Sequence, residues 1–230
     1  MLWEIPAWQN QAVSRQEIPT NLKHQLPDVD TKTFLYHINT RLPLYQEQFY
    51  LAGRTYFADW AVKTNSKPWV LLAAMGYQES KWNRNAMSPT GVRGIMMLTQ
   101  VTAKELGIHN RLDSDKSIQG GARYLAKLIR QIPKKIKNPD RLYMALAAYN
   151  VGWGHLRDAR QLARRLKKNP DRWDDLKTVL PLLAKKQYYT TLPHRYARGW
   201  EPVQYVERIQ AYQEILVKSL RQKERQKAFL

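Results

Sequence analysis

The run Trp69-Val-Leu-Leu-Ala-Ala-Met-Gly-Tyr77 is almost wholly apolar, and two residues beyond it stands a single carboxylate, Glu79. Pro68 suits the first turn of a helix, where a missing N–H is no loss. The spacing therefore predicts a helix from Pro68 to about Ser80. An ionised Glu beside so much apolar surface is costly, so such a site favours the neutral, protonated form. A carboxylic acid that keeps its proton near neutral pH can act as a general acid. Taken alone, Glu79 reads equally well as an exposed residue on the edge of a helix end. The segments that follow decide between the two.

Helical spacing recurs along most of the chain. Phe34, Ile38, Leu42, Tyr45 and Phe49 form one apolar stripe at three- and four-residue steps, continued by Tyr56 to Val62 after a break at Gly53. Ser88-Pro-Thr-Gly91 is a turn signal. Short helices are expected over 99–106, closed by Gly107, and over 117–132, stopped by Pro133. Further helices are expected over 139–149, ended by Gly152 and Gly154, then over 155–166 and within 170–183. The last runs over 202–220, with Val203, Val206, Ile209, Tyr212, Ile215 and Leu216 as its buried stripe. Sustained period-two alternation is almost absent, so a mainly α class with little or no sheet follows. Residues 187–192 read as a short strand or an extended loop. Residues 1–32 read as an extended arm or linker, 33–220 as the folded domain, and 221–230 as a charged, fraying tail.

A chain of 230 residues is long enough to bury a real core. It has 13 Tyr and 8 Trp but only 4 Phe, and aromatics with a polar handle suit a groove for a polar, ring-shaped ligand. With no Cys, thiolate metal sites, disulfides and a Cys nucleophile are excluded. Lys and Arg number 38 against 19 Asp and Glu, a formal net charge of +19. That balance predicts attraction to polyanions without choosing among nucleic acid, anionic lipid and an anionic cell-wall polymer. The local clusters, Lys134 to Lys137, Arg164 to Lys168 and Arg221 to Lys227, read mostly as solvated helix faces. No apolar segment approaches the ~20 residues of a membrane span. The N-terminus shows no signal-peptide pattern.

Metal catalysis has little support: His24, His37, His109, His155 and His194 make no His-Glu-x-x-His pair and no known ligand spacing with acidic residues. There is no Gly-x-Ser-x-Gly elbow and no Walker-type phosphate loop, and no cofactor is expected. Three blocks remain: Glu79-Ser80, then Ser88-Pro-Thr-Gly-Val-Arg-Gly-Ile-Met-Met-Leu98, then Ala147-Ala-Tyr-Asn-Val-Gly152. With these the chain closely resembles the soluble-lytic-transglycosylase family, whose catalytic domain has the goose-type lysozyme fold. All three blocks occur in that family's order. The second block looks most like the membrane-bound, type F branch, as do Ala122-Arg-Tyr-Leu125 and Tyr196-Ala-Arg-Gly-Trp-Glu-Pro-Val-Gln-Tyr-Val206. The resemblance covers about residues 34 to 216 and implies a lysozyme-like helical domain.

The resemblance also implies roles. Glu79 matches the family's sole catalytic acid/base, and Ser88 a hydroxyl that contacts substrate near the reacting sugar. Tyr149 and Asn150 match groove residues that bind N-acetyl sugars. Tyr205 matches a Tyr whose hydroxyl contacts the catalytic Glu. Gly94 lets backbone approach the glycan, having no Cβ. Where most of the family has Gln, this chain has Met97, a change shared by the type F branch, and Met97 becomes an apolar wall of the groove. The implied substrate is peptidoglycan glycan strands, with cell-wall assembly proteins or a regulatory domain as further partners and no nucleic acid. The implied location is periplasmic or outer-membrane-associated.

Most glycosidases use two carboxylates, but only Glu79 is a good candidate here, since Asp113 and Asp115 read as a helix start. The resemblance implies that the substrate supplies its own nucleophile, closing a 1,6-anhydro ring on N-acetylmuramic acid as the bond to N-acetylglucosamine breaks. The alternatives are a lysozyme-like hydrolase and a non-catalytic basic domain that binds glycan or nucleic acid. Polyanion binding would weaken steeply with salt. The intact Glu79, Tyr149 and Asn150 set argues against a binder alone.

Overall fold

Every residue from Val70 to Tyr77 is buried in helix α3 (Pro68–Ser80). A helix that is apolar on all sides has to be surrounded by other elements, and the rest of the fold does this. The computed structural model describes residues 29–64 and 67–228, without the side chains of 59–64 and 227–228. Before α3 come α1 (Thr31–Thr40) and α2 (Gln46–Thr64). After it come α4 (Gln100–Glu105), α5 (Ser114–Gln131), α6 (Asp140–Val151), α7 (Trp153–Arg165), α8 (Trp173–Val179), α9 (Lys186–Tyr189) and α10 (Trp200–Ala228). Two 3₁₀ turns, Leu42–Leu44 and Leu180–Ala184, join them. α3 packs chiefly against α2 and α10; α10 and α5 also pack on α6, and α7 follows α6 against it. Among the described residues there is no sheet, only two isolated antiparallel bridges, Met87 to Arg93 and Arg93 to Leu98.

Capping explains where several helices begin. Asp30, Thr99 and Asp113 each accept a hydrogen bond from a backbone N–H one turn into α1, α4 and α5. Asp113 is therefore a cap, as its sequence context suggests.

Four sequence expectations need correction. The stripe over Phe34 to Phe49 packs into the core as expected, but the helical run that carries it is interrupted by the 3₁₀ turn at Leu42–Leu44, where Pro43 breaks the α-helical bonding. The break expected at Gly53 lies instead at Phe57, whose φ of −135° kinks α2. Gly53 is inside the helix: a Cβ there would lie 2.9 Å from the Trp69 backbone nitrogen, so the glycine lets α2 cross α3 closely. Within 187–192 the chain is neither strand nor extended: Lys186–Tyr189 is one helical turn, α9, and turns follow it. The expected fraying tail is helix as far as Ala228. Its run of Arg, Gln, Lys and Glu has high helix propensity and continues a helix already nucleated by packing. The expected arm lies outside the described residues except for its last four positions, of which Thr31 and Lys32 already belong to α1.

The aromatic centre joins three helices. The Phe34 ring of α1 lies 4.4 Å from that of Tyr77 on α3 and 4.7 Å from that of Tyr212 on α10. Trp82 closes the group, 4.8 Å from Tyr77 between ring centres. Phe34 is fully buried, so Phe34→Ala should lower unfolding free energy by about 3–5 kcal/mol. Chemical denaturation of wild type and variant checks this.

Candidate active site

The polar end of α3 emerges where its apolar run stops. Lys81 and Trp82, both non-glycine, follow with left-handed φ values of 52° and 56°. This sharp exit is held by packing: Trp82 is buried, and its indole N–H donates to the Ala73 carbonyl at 2.8 Å. The Arg41 guanidinium donates to the Lys81 carbonyl at 2.9 Å. Glu79 and Ser80 are thereby fixed at a helix end that cannot continue.

Glu79 retains some solvent-accessible surface, yet protein surrounds its carboxyl. Burial pushes its pKa up to about 8, partly offset by a hydrogen bond from the Tyr205 hydroxyl. That bond is 2.6 Å long and links α3 to α10 across 126 residues of chain. Burial, followed by the nearby Glu79, holds the Tyr205 and Tyr149 phenols well above their ordinary range, so both stay neutral donors. Burial is the main cause of the raised pKa of the Glu79 carboxyl and the Tyr205 bond opposes it, with no second carboxylate among the described residues contributing.

The segment 88–98 forms a tight loop between α3 and α6. Arg93 and Leu98 exchange backbone hydrogen bonds at 3.2 and 3.0 Å, leaving residues 94–97 as its apex. Ser80, next to Glu79, donates its hydroxyl to the Ile95 carbonyl at 2.9 Å. Tyr149, near the end of α6, donates to the Met96 carbonyl at 2.9 Å, and its ring centre lies 5.3 Å from that of Tyr124. The apex is therefore tied to the acid-bearing helix on one side and to the Tyr149 helix on the other.

The loop is held from behind by residues around the start of α5. One nitrogen of Arg111 donates to the carbonyls of Gly91 at 2.7 Å and Leu98 at 2.9 Å. The buried Ser117 hydroxyl accepts from the Met96 N–H at 3.2 Å. Gly94 is buried with φ +83°, and a Cβ there would collide with the Arg111 carbonyl oxygen. The loop's own packing therefore leaves no room for a side chain there. Ser88 is half-buried, and its hydroxyl is engaged within the turn, accepting from the Val92 N–H at 3.2 Å and paired with Thr90 at 2.9 Å. Met97 is half-buried at a left-handed φ of 45°. Asn150 is exposed and helical, and the left-handed end of α6 falls on Gly152, φ +92°.

Tyr205 thus bonds to Glu79, while the loop apex bonds to the adjoining Ser80 and to Tyr149; Ser88 and Asn150 make no bond to Glu79. Sequence reasoning missed Ser80, Arg111 and Ser117 as supports. Ser80 sits inside a recognised block, but its carbonyl partner is set only by the loop's path. Arg111 and Ser117 act through backbone atoms far along the chain and carry no local signal.

This constellation is a lone, desolvated carboxylic acid at the end of a core helix, in an all-helical domain. The chain belongs to the transglycosylase SLT domain family, whose model matches residues 55–171. It is similar to membrane-bound lytic murein transglycosylase F of Marinobacter nauticus, 53% identical over 190 residues, which are 83% of this chain and 36% of that protein. The protein of that name from Serratia proteamaculans is 50% identical over 200 residues, 87% of this chain and 39% of that protein. Membrane-bound lytic murein transglycosylase F 1 of Alkalilimnicola ehrlichii is 50% identical over 188 residues, 82% and 36% respectively. The chain thus spans little more than a third of the length of these curated relatives.

The Glu79 carboxyl should titrate near 8 when followed by carbon-13 NMR of the side chain. In Tyr205→Phe it should titrate higher still, because the lost bond favoured the ionised form. A raised folded-state pKa also makes ionisation oppose folding. Below about 4.5 both folded and unfolded states hold the proton, and between there and about 8 only the folded state does. Wild-type stability should therefore fall relative to Glu79→Gln by at most about 1.4 kcal/mol per pH unit across that window, and level off above it. Urea denaturation of both proteins at stepped pH measures the difference.

Proposed function

We propose that this chain is the catalytic domain of a peptidoglycan lytic transglycosylase, with Glu79 as its one acid/base. The observation that carries the reading is the isolated Glu79 carboxyl, raised to about 8 by burial and bonded to Tyr205. At neutral pH it holds the proton a general acid must give. Membership of the transglycosylase SLT domain family and the names of the relatives support the same activity.

The substrate is a glycan strand of alternating N-acetylmuramic acid and N-acetylglucosamine. Glu79 protonates the glycosidic oxygen as the bond from C1 of the muramic acid breaks. The resulting carboxylate accepts the proton of that sugar's C6 hydroxyl, whose oxygen attacks C1 and closes the 1,6-anhydro ring. Glu79 ends the cycle protonated, and no water is consumed. A tethered nucleophile has a high effective concentration, so the site can work without a second carboxylate. The neutral Tyr205 phenol steadies the transient carboxylate by the bond it already makes. Met97 and Tyr149 wall the sugar site, Asn150 and Ser88 meet its polar groups, and Gly94 keeps the loop close-packed beneath. The basic surface suits peptide carboxylates along the strand. The place of action is the cell envelope, in the periplasm or at the outer membrane. No helix among the described residues is long and apolar enough to cross a membrane.

Digestion of purified sacculi, followed by mass analysis, tests the reading. Wild-type protein should release fragments ending in anhydro-muramic acid, and Glu79→Gln should release about a thousandfold fewer or none, as expected when an essential proton donor is removed. Reducing ends would instead establish a hydrolase. Equal release by both proteins would remove Glu79 from the chemistry.

A further inference from the structure

A second built feature lies on α7, with no residue in common with the Glu79 site. Arg157, Gln161 and Arg164 recur at i, i+4 and i+7 and so share one face of that helix. Between this face and Pro193–His194 is a cleft of about 320 Å³.

Both walls of the cleft are fixed. The buried Asp158 accepts from the His194 backbone N–H at 2.8 Å and pairs with its Nδ1 at 2.9 Å. The His194 ring occupies the space that a Cβ at Gly154 would fill, so the 193–194 segment is clamped down onto α7. On the other side the buried Arg160 turns away, donating to the Pro170 carbonyl at 3.1 Å and to Asp171. Asp171 is further taken up by Lys135 at 2.6 Å.

The charges of the cleft do not balance. Asp158 is committed to His194, and Asp171 to Arg160 and Lys135. The side chains of Arg157 and Arg164 are exposed and make no hydrogen bond or ion pair among the described residues. Two guanidinium forks and the Gln161 amide thus face a preformed concavity whose lining, among the described residues, leaves no uncommitted acid to neutralise them. Planar forks of this kind match the oxygens of phosphate and carboxylate groups, and the positive field of the whole chain draws such groups in.

We propose that this cleft binds an oxyanionic group, a phosphate ester or a carboxylate carried on a larger ligand, through Arg157, Gln161 and Arg164. The site is separate from glycan cleavage and does not depend on it.

The test is a nitrogen-15 NMR titration of the whole chain with sodium phosphate, sodium acetate and sodium chloride at matched ionic strength. Phosphate or acetate should produce saturable shifts in the amides of 157–164 and 193–194 that chloride does not. The tighter of the two names the source as phosphate ester or carboxylate. In Arg157→Gln/Arg164→Gln, the affinity should drop about tenfold or more, equivalent to roughly 1.4 kcal/mol. Arg157→Lys/Arg164→Lys, which keeps charge but loses the fork, should fall between. Glu79→Gln should bind the anion as wild type does, which separates this site from the catalytic reading. Shifts that track ionic strength alone, or an unchanged affinity in the double Gln variant, would overturn the proposal.

Discussion

The hydrogen bond from Tyr205 to Glu79 is the contact on which the architecture of the site turns. It brings α10 to the end of α3, and it does so at a carboxyl that burial keeps protonated near neutral pH. Two opposing effects meet there. Desolvation raises the acid's affinity for its proton, and the phenol donor lowers it. The balance leaves a group able to give up a proton and to be steadied once it has. An exposed carboxylate has neither property, and a carboxyl sealed in the core without a donor lacks the second.

The supports around that contact are made largely by backbone atoms. Ser80 holds the Ile95 carbonyl, Tyr149 the Met96 carbonyl, Ser117 the Met96 N–H, and Arg111 the carbonyls of Gly91 and Leu98. Backbone-directed bonds fix the path of a loop whatever side chains its apex carries. The position occupied by Met97 can therefore change chemical character while the loop keeps its course.

Much of this was legible in the sequence, for physical reasons that differ by element. α3 could be read because Pro68 opens it and an uninterrupted apolar run has few other solutions. α5 and α6 could be read because Gly152 and the Pro133 boundary end them sharply. The kink at Phe57, the helical turn at Lys186–Tyr189 and the helical C-terminal tail could not, because each is set by neighbouring packing or by continuation of an existing helix. Glu79 stood out through its apolar approach, and the Tyr205 contact came only with the family resemblance. The Arg111 carbonyl leaves no room for a side chain at Gly94, and nothing local to Gly94 announces it.

The partner of the acid lies outside the stretch that the family model matches. The family match runs over residues 55–171, whereas the hydroxyl on Glu79 comes from residue 205, and the aromatic centre draws on Phe34 and Tyr212. The stretch that the family model matches is therefore shorter than the unit that builds the site. A fragment trimmed to the matched boundaries would keep the carboxyl and lose both its proton-bond donor and the helices that dehydrate it. In such a fragment the acid would revert toward an ordinary carboxylate, ionised at neutral pH. The physical boundary of this domain is drawn by the environment Glu79 requires.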